Sequence, residues 1–316
     1  MAAYVDYNLR PNKAVERKLI FDTLARLSSV CHFPDYRYIG FGSFWFPDFL
    51  LAHRVLRIRD MLSMEYDENA KRADYNRPLK CIKVIPGDSS IVLNNGAVDC
   101  AEKKTVVWLD YDGVLDSSVV ADLRTVCSSV RIGSFVIVTV NAVRRFYISD
   151  ERSPDLEKSV RENLGILIPE KVPEDLDTRK GFRRFVASLI LSHCEHVVTK
   201  ASAGEKRFLP LFNFNYADGA SMVTIGGAIC DEALCAAIGK NGIFGETYVS
   251  GPDQFEIDLP VLTRRERITL NRLLPSHPEL AAADAEESLS FPLPQNQCGA
   301  YSDFYRFYPN YAELFD

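Results

Sequence analysis

The sequence predicts an α/β fold built on a mostly parallel sheet. Short apolar runs at 36–41, 61–65, 81–85, 105–109 and 134–140 alternate with stretches of helical spacing, the order that builds parallel sheets. A glycine or an acid follows four of these runs at near-equal intervals: 65 − 42 = 23, 88 − 65 = 23 and 110 − 88 = 22 for Gly42, Glu65, Asp88 and Asp110. A later pair of apolar runs flanks Ala217-Asp218-Gly219-Ala220 and predicts a hairpin over 208–229, an antiparallel edge to the sheet.

Taken in order, residues 12–30 place apolar side chains at 15, 19, 20, 24 and 27, a helical face, with Pro11 near its start. The stretch 149–200 is charged and helical in pattern, with a helix start at Ser153-Pro154-Asp155-Leu156-Glu157 and an apolar helix at 185–191; it reads as an insertion before the last strands. Beyond 251, Thr263-Arg264-Arg265-Glu266 opens a short helix, 281–287 is rich in alanine and acids, and the end is aromatic. The expected division is a helical segment at 1–35, a ligand-binding domain at 36–250 and an appendage at 251–316.

With 316 residues, 47% of them hydrophobic and 25% charged, the chain is long enough to bury a sizeable core. Its net charge of −6 argues against coating a polyanion through overall charge, so any polyanion has to be met locally. Met1-Ala2-Ala3-Tyr4-Val5-Asp6 lacks the basic start of a signal peptide, and no apolar run reaches the roughly 20 residues of a membrane span; a cytoplasmic protein without membrane contact is expected. Eight cysteines are scattered without a Cys-x-x-Cys pair, which fits buried thiols. His193-Cys194-Glu195-His196 is the one dense group of metal-ligating types; it is read as a helix-to-strand passage and lacks a second ligand pair at zinc spacing.

Loops that each follow a parallel strand emerge at one edge of the sheet, where open α/β sheets bind ligands. Two glycines after a strand, Gly40 and Gly42, permit a tight turn and close backbone approach. Glu65 is suited to accept from two ribose hydroxyls, and Asp88 in Pro86-Gly87-Asp88-Ser89 from an adenine amino group.

On these residues the chain resembles the class I S-adenosylmethionine-dependent methyltransferases, O-methyltransferases among them, over about 36–230. The resemblance implies a Rossmann-like, mostly parallel seven-stranded sheet with an antiparallel last strand. It implies S-adenosylmethionine as cofactor. The turn Gly40-Phe41-Gly42-Ser43 would lie beneath its methionyl part, Glu65 with Tyr66 at the ribose, and Asp88 with Ser89 at the adenine. Asp110, Tyr111 and Asp112 would face the methyl group and its oxygen or nitrogen acceptor, with Asp110 also bordering the cofactor and either orienting the acceptor or taking its proton. Two positions depart from the family pattern: Tyr38 stands where an acid precedes the glycines and Phe44 where a third glycine follows. A module that binds the cofactor or a partner without turnover is the alternative they keep open.

Val106 to Ser117 also resembles the first motif of haloacid-dehalogenase phosphatases, with Asp110 as nucleophile, Asp112 as general acid, Thr139 at the phosphate and Lys200 as the later lysine. Asp110 with Asn141 is similar in part to the cation site of catechol-type O-methyltransferases, although Val140 replaces their second acid. Arg144, Arg145, Arg179, Lys180, Arg183 and Arg184 are the residues that would contact nucleic-acid phosphates. The run Phe44-Trp45-Phe46-Pro47-Asp48-Phe49 either lines a flat acceptor pocket or packs the first helix, and His53 is either a base or a structural histidine.

Overall fold

The computed structural model describes residues 10–149, 155–276 and 280–310, with the side chain of residue 166 left out. By its contacts the chain divides into one unit of residues 20–215 and 219–256 and a second of residues 1–19, 216–218 and 257–316.

Strands and helices alternate along the chain as the apolar runs predict. After α1 (Pro11–Arg26), whose residues 11–19 fall in the smaller unit, β1 (Arg37–Gly40), α2 (Pro47–Leu56), β2 (Asp60–Glu65), α3 (Asp67–Tyr75), β3 (Ile82–Pro86), α4 (Ser89–Asn94), β4 (Thr105–Val114), α5 (Ser117–Ser129) and β5 (Phe135–Asn141) follow in turn. The strands β1 to β5 pair in parallel, in the spatial order β3-β2-β1-β4-β5. Their side chains are apolar on both faces because helices cover both faces, and every residue of β5 is buried.

Next come α6 (Leu156–Leu164), α7 (Arg179–Ala201), the hairpin of β6 (Arg207–Asp218) and β7 (Ala220–Cys230), and α8 (Glu232–Lys240). Gly219 turns the hairpin at φ +94°, a conformation open to glycine, and β7 lies antiparallel to β5. A further short strand, β8 (Phe255–Ile257), adds to β6, so the sheet has eight strands rather than seven. Of the expected helix start at 153–157, Ser153 and Pro154 lie outside the described residues, and Asp155 caps α6 by accepting from the Lys158 N–H.

The stretch expected to be an insertion contains a core helix. Phe182, Phe185, Val186, Leu189, Ile190, Cys194 and Val198 of α7 belong to the main apolar cluster with β4, β5 and β7. His193-Cys194-Glu195-His196 therefore sits inside α7, not in a helix-to-strand passage, and His193 Nε2 is 3.2 Å from the Val120 carbonyl. The cysteines are free, and no described helix is long and apolar enough to cross a membrane.

The smaller unit holds α9 (Arg264–Leu270), α10 (Ala282–Leu289) and α11 (Gln295–Phe304) around Leu262, Leu270, Leu280, Ala285, Cys298 and Tyr301. Thr263 and Glu266 close a capping box on α9, which satisfies two orphan N–H groups at its start.

Candidate functional site

The strand order reverses between β1 and β4, and the loops after β1, β2, β3 and β4 all leave the same edge. In β1 and β2, Gly40 aligns with Ser63, so Glu65 stands two residues further along at the end of its strand. The even spacing in sequence thus becomes adjacency in space.

Past Gly40 the chain turns too tightly for any side chain at Gly42. A Cβ there would stand 2.2 Å from the Phe46 ring and 2.7 Å from Ser63 Oγ, and the Gly42 N–H donates to that Oγ at 2.8 Å. Ser43 and Phe46 hold left-handed φ values of 53° and 51°, a strained choice for residues with a Cβ and of the kind that gathers at ligand sites. Tyr38, in the place of the family acid, is fully buried and donates to Asp48 Oδ2 at 2.6 Å; its hydroxyl lies 3.4 Å from where a Gly40 Cβ would be. A carboxylate is therefore present beneath the turn, supplied by the first turn of α2. Neither Asp48 nor Ser63 stands out in the sequence as a site residue. Pro47-Asp48 marks a helix start in the sequence, but its partnership with Tyr38 is tertiary.

Glu65, half-buried at the end of β2, has its carboxyl pKa raised by burial, opposed by a hydrogen bond from the Tyr66 N–H. Tyr66 is exposed; partial burial first, then the charges of Asp88, Glu65, Asp116 and Asp122, raise its phenol. Asp88 caps α4, its Oδ1 accepting from the Ser90 N–H at 2.9 Å. Ser89 Oγ and the Tyr111 hydroxyl both donate to Asp122 Oδ2 at 2.6 Å. Asp122 is buried on α5 and so ties the loop after β3 to the end of β4. The Tyr111 ring meets Phe41 edge-on, 5.1 Å between centroids, joining the glycine turn to the same wall. With its hydroxyl spent on Asp122, and burial raising its pKa, Tyr111 offers the site a ring rather than a proton.

β4 departs from regular pairing where the methyl group is expected. Asp110 aligns with Thr139 and Val114 with Asn141, so four steps on β4 span two on β5 and the residues Tyr111, Asp112 and Gly113 form a bulge. Asp110 is half-buried there and Asp112 exposed. The buried Tyr147 hydroxyl pins the far end, accepting from the Leu115 N–H at 2.9 Å and donating to the Asn141 carbonyl at 2.7 Å.

Other candidates fall elsewhere. Thr139 is fully buried and its Oγ1 contacts Trp108 Nε1 at 3.1 Å and Thr224 Oγ1 at 2.8 Å, so it is not open to a phosphate. Lys200 closes α7 on the way into β6, at the opposite edge from Asp110. Those two positions remove the phosphatase reading. A divalent cation does not fit either: Asn141 Oδ1 accepts from the Val143 N–H at 2.9 Å, Asn141 aligns with Val114 rather than Asp110, and Val140 offers no oxygen. Among the described residues no group of three His, Cys, Asp or Glu is placed to hold a metal. His53 Nδ1 lies 2.9 Å from the Ile58 carbonyl and secures the end of α2. Phe46 and Phe49 are buried, whereas Phe44 lies under the Arg72 guanidinium at 4.1 Å. Of the six basic residues, Arg183 pairs with Glu256 at 3.0 Å and Arg184 with Asp175, and Arg179 and Lys180 are exposed on the first turn of α7.

No curated protein matches the sequence. Among solved structures, Trm1 from Pyrococcus horikoshii in complex with S-adenosyl-L-methionine is 10% identical with a TM-score of 0.45, over 73% of this chain and 57% of that one. LepI in complex with SAM is 11% identical (TM-score 0.36; 65% and 46%), and human N-acetylserotonin methyltransferase in complex with SAM is also 11% identical (TM-score 0.34; 69% and 56%). The chain spans about half the length of these structures. The sequence pattern of the methyltransferase family described as "Putative O-methyltransferase" matches residues 5–315, and the chain belongs to that family.

Proposed function

We propose that the chain transfers a methyl group from S-adenosylmethionine to an oxygen of its acceptor, at the carboxyl edge where β1 and β4 part. The observation that carries this reading is the pairing of two neighbours at that edge: Gly42, where a Cβ would stand 2.2 Å from the Phe46 ring, and Glu65 at the end of the adjoining strand. The first is a turn that only glycine can make, its Cβ side filled by Phe46; the second is an acceptor for paired hydroxyls. Both fit the cofactor, which supplies a methyl group on a positively charged sulfur.

The residues divide the work. The turn Gly40–Ser43 approaches the methionyl part through its backbone, with Asp48 beneath it replacing the missing acid. Glu65 holds the ribose, and Asp88 with Ser89 borders the adenine, walled by Phe41 and Tyr111. Asp110 orients the acceptor hydroxyl and takes its proton, and Asp112 stands nearer solvent on the same bulge.

Isothermal calorimetry with S-adenosylmethionine and S-adenosylhomocysteine tests the reading. Dissociation constants below about 1 mM, or roughly −4 kcal/mol, are expected; no heat at millimolar ligand defeats it. Binding without turnover on any hydroxylated acceptor would instead favour a binding module.

A further inference from the structure

Two arginines lie just past the carboxyl end of β5. Arg144 and Arg145 open the helical turn Arg144–Tyr147, directly past Asn141 at the end of β5, and so sit on the carboxyl edge beside the bulge that carries Asp110. Several other guanidinium groups pair with the chain's own acids: Arg37 with Asp60 and Glu102, Arg161 with Glu157, Arg183 with Glu256. Among the described residues no carboxylate pairs with Arg144 or Arg145; the Arg145 guanidinium lies over the exposed Phe146 ring, 4.8 Å from its centroid. Arg144 is half-buried, held in place by its neighbour Tyr147 being pinned to both strands.

We propose that Arg144 and Arg145 receive an anionic group, a carboxylate or a phosphate, on the methyl acceptor, whose hydroxyl stands at Asp110. This rests on the methyl-transfer reading above. Two guanidinium groups on one turn, with no acid pairing either among the described residues, can each donate charge-assisted hydrogen bonds to an anion held at that edge. The exposed Phe146 ring beside them suits a planar acceptor. A small anion is favoured over nucleic acid. Of the other four basic residues, Arg183 and Arg184 are already paired and only Arg179 and Lys180 stay exposed, and a net charge of −6 opposes a polyanion.

The test is ligand-observed NMR titration of 4-hydroxybenzoate and 4-hydroxyphenyl phosphate against neutral phenol, with and without S-adenosylhomocysteine, on the full chain. An anion is expected to bind at least about fivefold more tightly than phenol at low salt, and the tighter of the two identifies the group. The double variant Arg144→Ala, Arg145→Ala should lose that preference while phenol binding is unchanged; Arg144→Lys should keep part of it, more for phosphate. Equal binding of the three probes, or a preference that survives the double variant, overturns the proposal. So does a single-stranded RNA that binds more tightly than either anion and loses affinity in the double variant. S-adenosylhomocysteine affinity within about twofold of the parent shows the variant is folded. If the parent does not bind S-adenosylhomocysteine, the methyl-transfer reading fails, and the anion preference without it still reports on the arginines alone.

Discussion

The two halves of the carboxyl edge are held by different means. At the ends of β1, β2 and β3, positions are set by the turn itself, the adjoining strand or the next helix: Gly42 by its own turn and the Ser63 hydroxyl of β2, Asp88 by capping the helix that follows it. At the ends of β4 and β5, they are set by two side chains from the segments that follow: Tyr147 reaches back to Leu115, and Asp122 accepts from Tyr111 and, across the edge, from Ser89 after β3. The first half rests on bonds from backbone N–H groups. The second can be re-aimed by a bulge or a single hydroxyl, which suits the side where we place the acceptor.

If the halves are separable in this way, Asp110→Asn should lower kcat by about 10² to 10⁴ and leave the S-adenosylhomocysteine dissociation constant within about twofold. Loss of both together would show that Asp110 also holds the cofactor side. The reciprocal change, Glu65→Ala, should weaken S-adenosylhomocysteine by about tenfold to a hundredfold, the range expected for losing hydrogen bonds to a charged acceptor. Probe binding at Arg144 and Arg145 should not move.

This division also explains what was legible in the sequence. Parallel strands with one helix between them repeat at a near-constant length, so the interval from Gly42 to Glu65 to Asp88 carried real geometry. Asp110 falls at the same interval, but its surroundings depend on a bulge that the spacing alone does not reveal; its sequence signal is the dipeptide Asp112-Gly113, which breaks the strand pattern. The carboxylate at the turn is not legible in the sequence, because Asp48 stands on the following helix rather than two residues before the glycines and is connected through Tyr38. The charged pattern of 149–200 hid a core helix: α7 carries its arginines and lysines on the first two turns and the last, around a buried apolar middle. The eighth strand is three residues long and has no periodicity to read.

A smaller effect should come from the pin between the strands. Tyr147→Phe leaves the Leu115 N–H and the Asn141 carbonyl without their partner in a buried place, costing about 1–3 kcal/mol in a denaturant melt. Because the pin serves the β4–β5 side, kcat should fall while S-adenosylhomocysteine affinity holds. An equal loss of cofactor affinity would mean that the two halves move as one body.

The smallest effect separates stability from binding at one residue. Burial raises the Glu65 carboxyl pKa, so the folded chain binds a proton there more readily than the unfolded chain. Its contribution to stability is therefore present at low pH and lost as the pH rises through the raised value. For ribose the sign is opposite. The hydroxyls donate to a carboxylate, and a proton on Glu65 removes acceptor capacity, so S-adenosylhomocysteine affinity should fall as the pH is lowered through that same value. The fall should begin at a higher pH than an exposed glutamate would give and approach about tenfold per pH unit at its steepest. Glu65→Gln cannot titrate, so its weaker affinity should be flat over the interval. Calorimetric dissociation constants at steps from about pH 8 to about pH 4.5 decide the matter. An equal slope in parent and Glu65→Gln would take Glu65 out of the ribose site and leave the glycine turn as the sole fixed point of the cofactor half.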